Sequence, residues 1–173
     1  MGLFARDGRS LELPGVSRGR RVDRLTLPRD TARAMSQENV EVVRDAFGAW
    51  NAGEMGVLGD LCDPDVIVRG FEGSLEGQEL TVGRESVMRG FERMRETWDA
   101  DAAETITDFI DAGDRVVARF IWRGTGHGPA FGLEVTAVYT LRKGKIFLVE
   151  YFRDHAEALE AVGLSKHDAH ADP

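Results

Sequence analysis

The 173-residue chain is 42% hydrophobic and 30% charged, proportions of a globular protein with enough apolar material for one core. No apolar run approaches the ~20 residues that span a bilayer, and no apolar segment of an export signal opens the chain. Cys62 is the only cysteine, which excludes an internal disulfide and a cysteine-built metal cluster and makes a cytoplasmic protein the simplest expectation.

The net charge of −8 is unevenly spread. Residues 1–34 carry eight arginines against Asp7, Glu12, Asp23 and Asp30, a balance of +4 that leaves −12 on the remainder. An acidic body argues against nucleic acid as a partner, because phosphate binding needs a basic face. The basic segment has no periodic apolar pattern and is interrupted by Pro14, Pro28 and several glycines. The expectation is therefore a disordered or non-native extension over residues 1–34, a folded domain over 35–164, and a polar tail over 165–173.

In chain order, Ser36 suits a helix N-cap, and Val40, Val43, Phe47 and Trp50 follow on one helical face that ends at Asn51-Ala52-Gly53. A short helix over residues 54–61 brings Met55, Leu58 and Leu61 inward, and Asp63-Pro64-Asp65 breaks it. Residues 66–68 read as a short strand and 71–82 as a loop rich in Gly and Glu. Val87, Phe91, Met94 and Trp98 then mark a third helix beginning near Gly83.

Beyond Asp101 the period becomes two. Strands are expected over residues 105–110, 116–123, 131–141 and 145–153, with turns at 111–114 and at Lys143-Gly144 and a glycine-rich connection over 124–132. Asp154 opens a final helix that Gly163 closes. Helices first and a run of hairpin-joined strands afterwards predict an α+β domain: N-terminal helices packed on a mostly antiparallel sheet. Both faces of the long strands are apolar, so one face is expected to meet the helices and the other a second copy of the chain.

Several stretches in this order resemble one family. They are Ser36-Gln37-Glu38-Asn39-Val40-Glu41-Val42-Val43-Arg44, Trp50-Asn51-Ala52-Gly53, Cys62-Asp63-Pro64-Asp65-Val66, Gly83-Arg84-Glu85-Ser86-Val87, Asp111-Ala112-Gly113-Asp114-Arg115-Val116-Val117, Leu141-Arg142-Lys143-Gly144-Lys145-Ile146, and the run from Asp154 to Leu164. Together they are similar to the SnoaL-like group of the nuclear-transport-factor-2-like superfamily. The resemblance implies a cone-shaped fold whose curved sheet and helices enclose a mainly apolar pocket, in a homodimer formed through the sheet. Its members include polyketide cyclases, ketosteroid isomerase and limonene-epoxide hydrolase. The isomerase's carboxylate base would fall near Gly70 and its oxyanion-hole tyrosine near Ala46, while the hydrolase's Arg-x-Asp pair meets Arg119-Phe120-Ile121. Both of those activities are thereby disfavoured.

Proton transfer beside a carbonyl needs an acid or imidazole in an apolar pocket and a donor for the enolate oxygen. Glu150 alternates with Ile146, Leu148 and Phe152, so it is either the proton carrier of a dry site or a surface acid paired with Arg119 or Arg123. His127 lies in Gly124-Thr125-Gly126-His127-Gly128 and resembles a histidine of the cyclase relatives; the alternative is a solvent-exposed loop residue. Asp154 matches a family position and equally suits a plain N-cap. Trp50, Tyr139 and Trp122 are candidate ligand-binding residues, with core packing as the other reading. His167 and His170 in the polar tail form no metal motif, and neither a metal nor another cofactor is expected. The functional expectation is a pocket that takes a hydrophobic carbonyl compound, as a cyclase- or isomerase-type enzyme or as a non-catalytic ligand-binding or dimerisation module.

Overall fold

Helix α1 (Arg29–Ala52) sets the frame of the molecule. The structure, a computed structural model, describes residues 29–70, 80–97, 102–105, 108–124 and 130–165. The helix starts at Arg29 rather than at Ser36, because the preceding residues are strong helix formers such as Ala32, Arg33 and Ala34. Ser36 is consequently not a cap. Its hydroxyl donates to the carboxylate of Asp111, and Asn39 Nδ2 donates to the Gly113 carbonyl at 2.9 Å. Val43, Ala46, Phe47 and Ala49 form the buried stripe.

The short helix α2 (Met55–Leu61) leads directly into strand β1 (Cys62–Arg69). Pairing thus begins at the cysteine, earlier than the strand expected at residues 66–68. Strand β2 (Leu80–Val82) pairs antiparallel with β1, Ile67 opposite Val82 and Arg69 opposite Leu80, where the sequence suggested that a loop continues. Helix α3 (Arg84–Thr97) follows, with Val87 buried and Met88 and Phe91 packed on the core. Trp98 and most of the expected loop over 71–82 lie outside the described residues.

The anticipated strand over 105–110 is two pieces, β3 (Ala102–Thr105) and β4 (Ile110–Asp111), both antiparallel to β5 (Arg115–Gly124). The chain takes five steps from Thr105 to Ile110 while β5 takes three from Phe120 to Val117, so one continuous ladder is impossible. Strands β5, β6 (Phe131–Arg142) and β7 (Lys145–Phe152) form the expected meander. Lys143 and Gly144 both have positive φ, 53° and 71°, the backbone that a two-residue hairpin turn requires.

Strand order is β2-β1-β7-β6-β5-β3, with β4 beside β5. All pairs are antiparallel except β1 with β7, which run parallel. This is an α+β fold with its helices gathered mainly on one face. Val116, Ala118, Phe120, Val135, Ala137, Tyr139 and Val149 belong to the cluster beneath α1; we call this the inner face. On the outer face Val117 and Val138 are sealed by Ala158 and Leu159 of helix α4 (His155–Ala161). Beyond the end of that helix Gly163 has φ 77°, and Leu164 N reaches Leu159 O at 2.9 Å and relieves the terminal carbonyls.

The start of β1 is clamped to the end of β6. Arg142 donates to both Asp63 carboxylate oxygens, at 3.2 and 2.8 Å, and stacks 3.9 Å from the Phe147 ring centroid. Asp63 also accepts from the Asp65 N–H at 2.9 Å. The Arg142 bonds, then the Asp65 bond, hold this carboxyl below its ordinary value. A carboxylate with a lowered folded-state pKa stabilises the fold above the ordinary carboxylate range and loses that contribution as pH falls through the lowered value. Asp63→Asn is therefore expected to melt below the wild type near neutral pH, with the gap closing as pH drops below about 4. Melting curves across that range check this; a gap independent of pH would show that the ion pair is not responsible.

Candidate functional site

The inner face and the helices above it form an interior built from aromatic rings. Phe47 of α1 stands edge-on to Phe109, Phe120 and Tyr139 at centroid distances of 5.3, 5.1 and 6.1 Å. Trp50 and Phe91 meet edge-to-face at 5.3 Å and link α1 to α3. Arg95 fixes this junction from α3, donating to the Trp50 carbonyl at 2.7 Å. Trp50, Met88, Phe91, Trp122, Leu133 and Tyr151 pack on the core while remaining only half-buried. Helices and sheet both contribute apolar groups that are not fully enclosed.

Polar groups in this interior include a phenol, a thiol and an arginine. Tyr139 is 8% exposed, and burial, followed by the neighbouring Tyr151 and Cys62, pushes its phenol well above the ordinary value. It is a neutral hydrogen-bond donor at physiological pH. The Cys62 thiol is pushed up to about 11 by desolvation, against the opposing pull of Arg84 and Lys145. It stays protonated and is a poor nucleophile. Arg84 spends one guanidinium nitrogen on the Cys62 carbonyl at 2.7 Å. Among the described residues, no three His, Cys, Asp or Glu side chains converge into a set able to hold a metal ion.

The residues singled out in the sequence divide between the two faces. Trp50, Tyr139 and Trp122 all belong to the inner apolar cluster or pack on it. Glu150 does not. It stands opposite Val138, accepts from Arg69 Nη1 at 2.7 Å and is turned away from the helices. Neither Arg119 nor Arg123 is its partner in that bond, and Arg119 bonds Glu134 instead. The reason is a register shift between Thr140 and Leu141: Leu141 pairs with Ile146 but Thr140 with Leu148, which leaves Phe147 as an extra residue. Ile146 therefore points inward while Leu148 and Glu150 point outward, and the apparent alternation of the four residues is broken after the first.

Asp154 is exposed at the head of α4, where its carboxylate accepts from the Ala156 N–H at 2.7 Å, the N-cap bond. His127 lies outside the described residues, as do His167 and His170. Tyr151 is the inner-face residue that sequence reasoning missed. Its signal was its spacing from Val149, readable only once the strand's facing is known.

The SnoaL-like domain family matches residues 43–149, more than half of the chain. The chain belongs to the SnoaL-like domain family. Among solved structures, this SnoaL-like chain is similar to Bal32a from a soil-derived mobile gene cassette, at 20% identity and a TM-score of 0.64 over 68% of this chain and 90% of that one. It is also similar to TerC co-crystallised with polyporic acid, at 20% identity and a TM-score of 0.60 over 72% and 98%. A third neighbour is a candidate polyketide cyclase from Pseudomonas putida KT2440, at 23% identity and a TM-score of 0.55 over 70% and 96%. At these identities the likeness is one of fold. No curated protein matches the chain. Among the described residues, no helix is long and apolar enough to cross a membrane.

The two displaced carboxylates of this SnoaL-like domain have measurable structural roles. Asp154→Ala is expected to cost about 1 kcal/mol through loss of the cap. Glu150→Gln, at the edge of a half-exposed ion pair, is expected to cost about 0.5 kcal/mol. Chemical denaturation of both variants checks this, and a negligible loss for Asp154→Ala would remove its capping role.

Proposed function

We propose that this domain binds a hydrophobic small molecule, without a cofactor, in the interior between α1, α3 and the inner sheet face. The observation that carries the reading is the set of half-buried aromatic groups supplied from both sides, Trp50 and Phe91 above and Trp122 and Tyr151 below. Apolar walls with a few convergent polar groups are the usual make-up of a small-molecule site. The fold neighbour crystallised with polyporic acid supports the same reading.

A finer reading is catalysis of the cyclase or isomerase type, a proton moved beside a carbonyl without a cofactor. Candidate polyketide cyclases among the fold neighbours support it, as does a buried neutral phenol suited to an enolate oxygen. The outward position of Glu150 and the capping bond of Asp154 weigh against it. The proton carrier then falls to His127, and binding without catalysis is the reading we advance. β-Tetralone, a neutral aromatic ketone with acidic α-protons, separates the two. Retention by the protein in equilibrium dialysis, with deuterium exchange in deuterium oxide at the buffer rate, is expected. Exchange accelerated about a hundredfold and lost in His127→Ala would establish proton transfer instead. No retention would overturn the binding reading.

We further propose that a second copy covers the outer sheet face. Helix α4 seals only Val117, Val138 and their surroundings, while Ile67, Ile121 and Leu148 stay half-buried beside the Arg69–Glu150 and Arg119–Glu134 pairs. Sedimentation is expected to show a dimer that Ile121→Asp converts to monomer. A monomeric wild type sinks this proposal.

A further inference from the structure

The inward stripe of α3 carries an arginine at each end. Arg84 comes first, Val87 and Phe91 follow, and Arg95 closes it at helical spacing. Each arginine donates to a main-chain carbonyl at 2.7 Å, Arg84 to that of Cys62 and Arg95 to that of Trp50. Neither joins an ion pair among the described residues. They differ in what is left over. Arg84 Nε is sealed inside the protein, where a ligand does not reach it. Arg95 is half-buried. Its Nε and Nη2 have no hydrogen-bond partner among the described residues, and neither atom is sealed.

Capping of α1 accounts for one nitrogen of Arg95 and no more. The Trp50 carbonyl lies in the last turn of that helix and already accepts from the Gly53 N–H at 3.0 Å. The guanidinium lies over the Trp50 ring, 5.4 Å from its centroid, and Phe91, one turn earlier on α3, meets the same ring edge-to-face. A cation with open N–H groups thus stands beside an aromatic wall. Gly53 leaves room for it, since a Cβ there would come within 3.1 Å of Nη2. Charge-assisted N–H···O bonds are about twice as strong as neutral ones, and the planar fork of a guanidinium matches the two oxygens of a carboxylate.

We propose that Arg95 is a specificity-determining residue that donates from Nε and Nη2 to a carboxylate of the bound molecule, so that the ligand is an aromatic acid held as its anion with its rings against Trp50 and Phe91. The proposal rests on the reading of the interior as a binding site. It assigns Arg95 a role and narrows the ligand from any hydrophobic compound to one that carries a negative charge at the edge of its ring system. The arginine sits on a helix that the Trp50–Phe91 contact holds against α1, so its position is fixed before a ligand arrives. Selection follows because a neutral ligand leaves a half-desolvated cation without a counter-charge.

2-Naphthoate and 2-naphthamide share a ring skeleton and nearly a shape but differ in charge, which makes them matched probes. Equilibrium dialysis of the full chain at low salt and neutral pH is expected to show naphthoate bound about tenfold more tightly than naphthamide. Arg95→Gln is expected to abolish that preference with naphthamide binding unchanged, whereas a merely structural role would weaken both probes alike. Arg95→Lys keeps the charge without the fork and is expected to retain a preference of about threefold. Equal binding of the two probes by the wild type, or an undiminished preference in either variant, overturns the arginine assignment while leaving interior binding intact. Failure of the wild type to bind either probe overturns the interior reading along with it.

Discussion

One extra residue on a strand decides which side chains the interior receives. Between Leu141–Ile146 and Thr140–Leu148 the β6–β7 ladder slips by one position, and Phe147 absorbs the difference. Side chains on a strand alternate strictly, so a single insertion exchanges the faces of everything beyond it. Val149 and Tyr151 are thereby turned toward α1, and Leu148, Glu150 and Phe152 toward α4 or open surface. Arg142, whose guanidinium lies on the Phe147 ring, binds Asp63 at the same time. The irregular point is held by an ion pair and a cation–π contact from the strand it disturbs.

The chemical character of the interior follows from that slip. An unshifted strand would carry Glu150 inward beside Tyr139 and give the cone an acid under a phenol, the pairing that enolisation asks for. The shifted strand carries a second phenol in its place and leaves the acid to Arg69. Family membership and geometry thus answer different questions here: the first gives the shape of the container, the second what its wall can do.

Much of the fold was legible in the sequence because its signals are local. Val40, Val43, Phe47 and Trp50 repeat at helical spacing and do line the core. The alternation through β5 and β6 separates two apolar faces, and the structure makes the one bearing Phe120, Trp122, Tyr139 and Leu141 the inner face. Lys143-Gly144 and Gly163 announce their turns through the backbone they allow. Three features were not readable. Helix α1 overruns Ser36 because a favourable cap does not stop residues before it from being helical. The slip at Phe147 leaves Ile146, Leu148, Glu150 and Phe152 looking like one uninterrupted face. Parallel pairing of β1 with β7 has no local signature, since nothing near Cys62 names a partner more than eighty positions away. For the site, the aromatic members were legible as apolar-face residues, whereas Tyr151 and Glu150 depended on the slip.

That parallel pairing has a consequence for how the molecule holds together. Strand β1 comes from the early part of the chain, yet its long partner is β7, near the end, with Val68 beside Val149 and Arg69 beside Glu150. The helices that roof the interior are attached to β1, and the aromatic floor is attached to β5, β6 and β7. The main core belongs to neither half alone, because each supplies one wall of the same enclosure, and only the small cluster of Val117, Val138, Ala158 and Leu159 lies within the second half. Cutting the chain between α3 and β3 would separate lid from floor and leave two fragments with exposed apolar faces. The domain is therefore a single cooperative unit, closed by the meeting of its two ends in sequence.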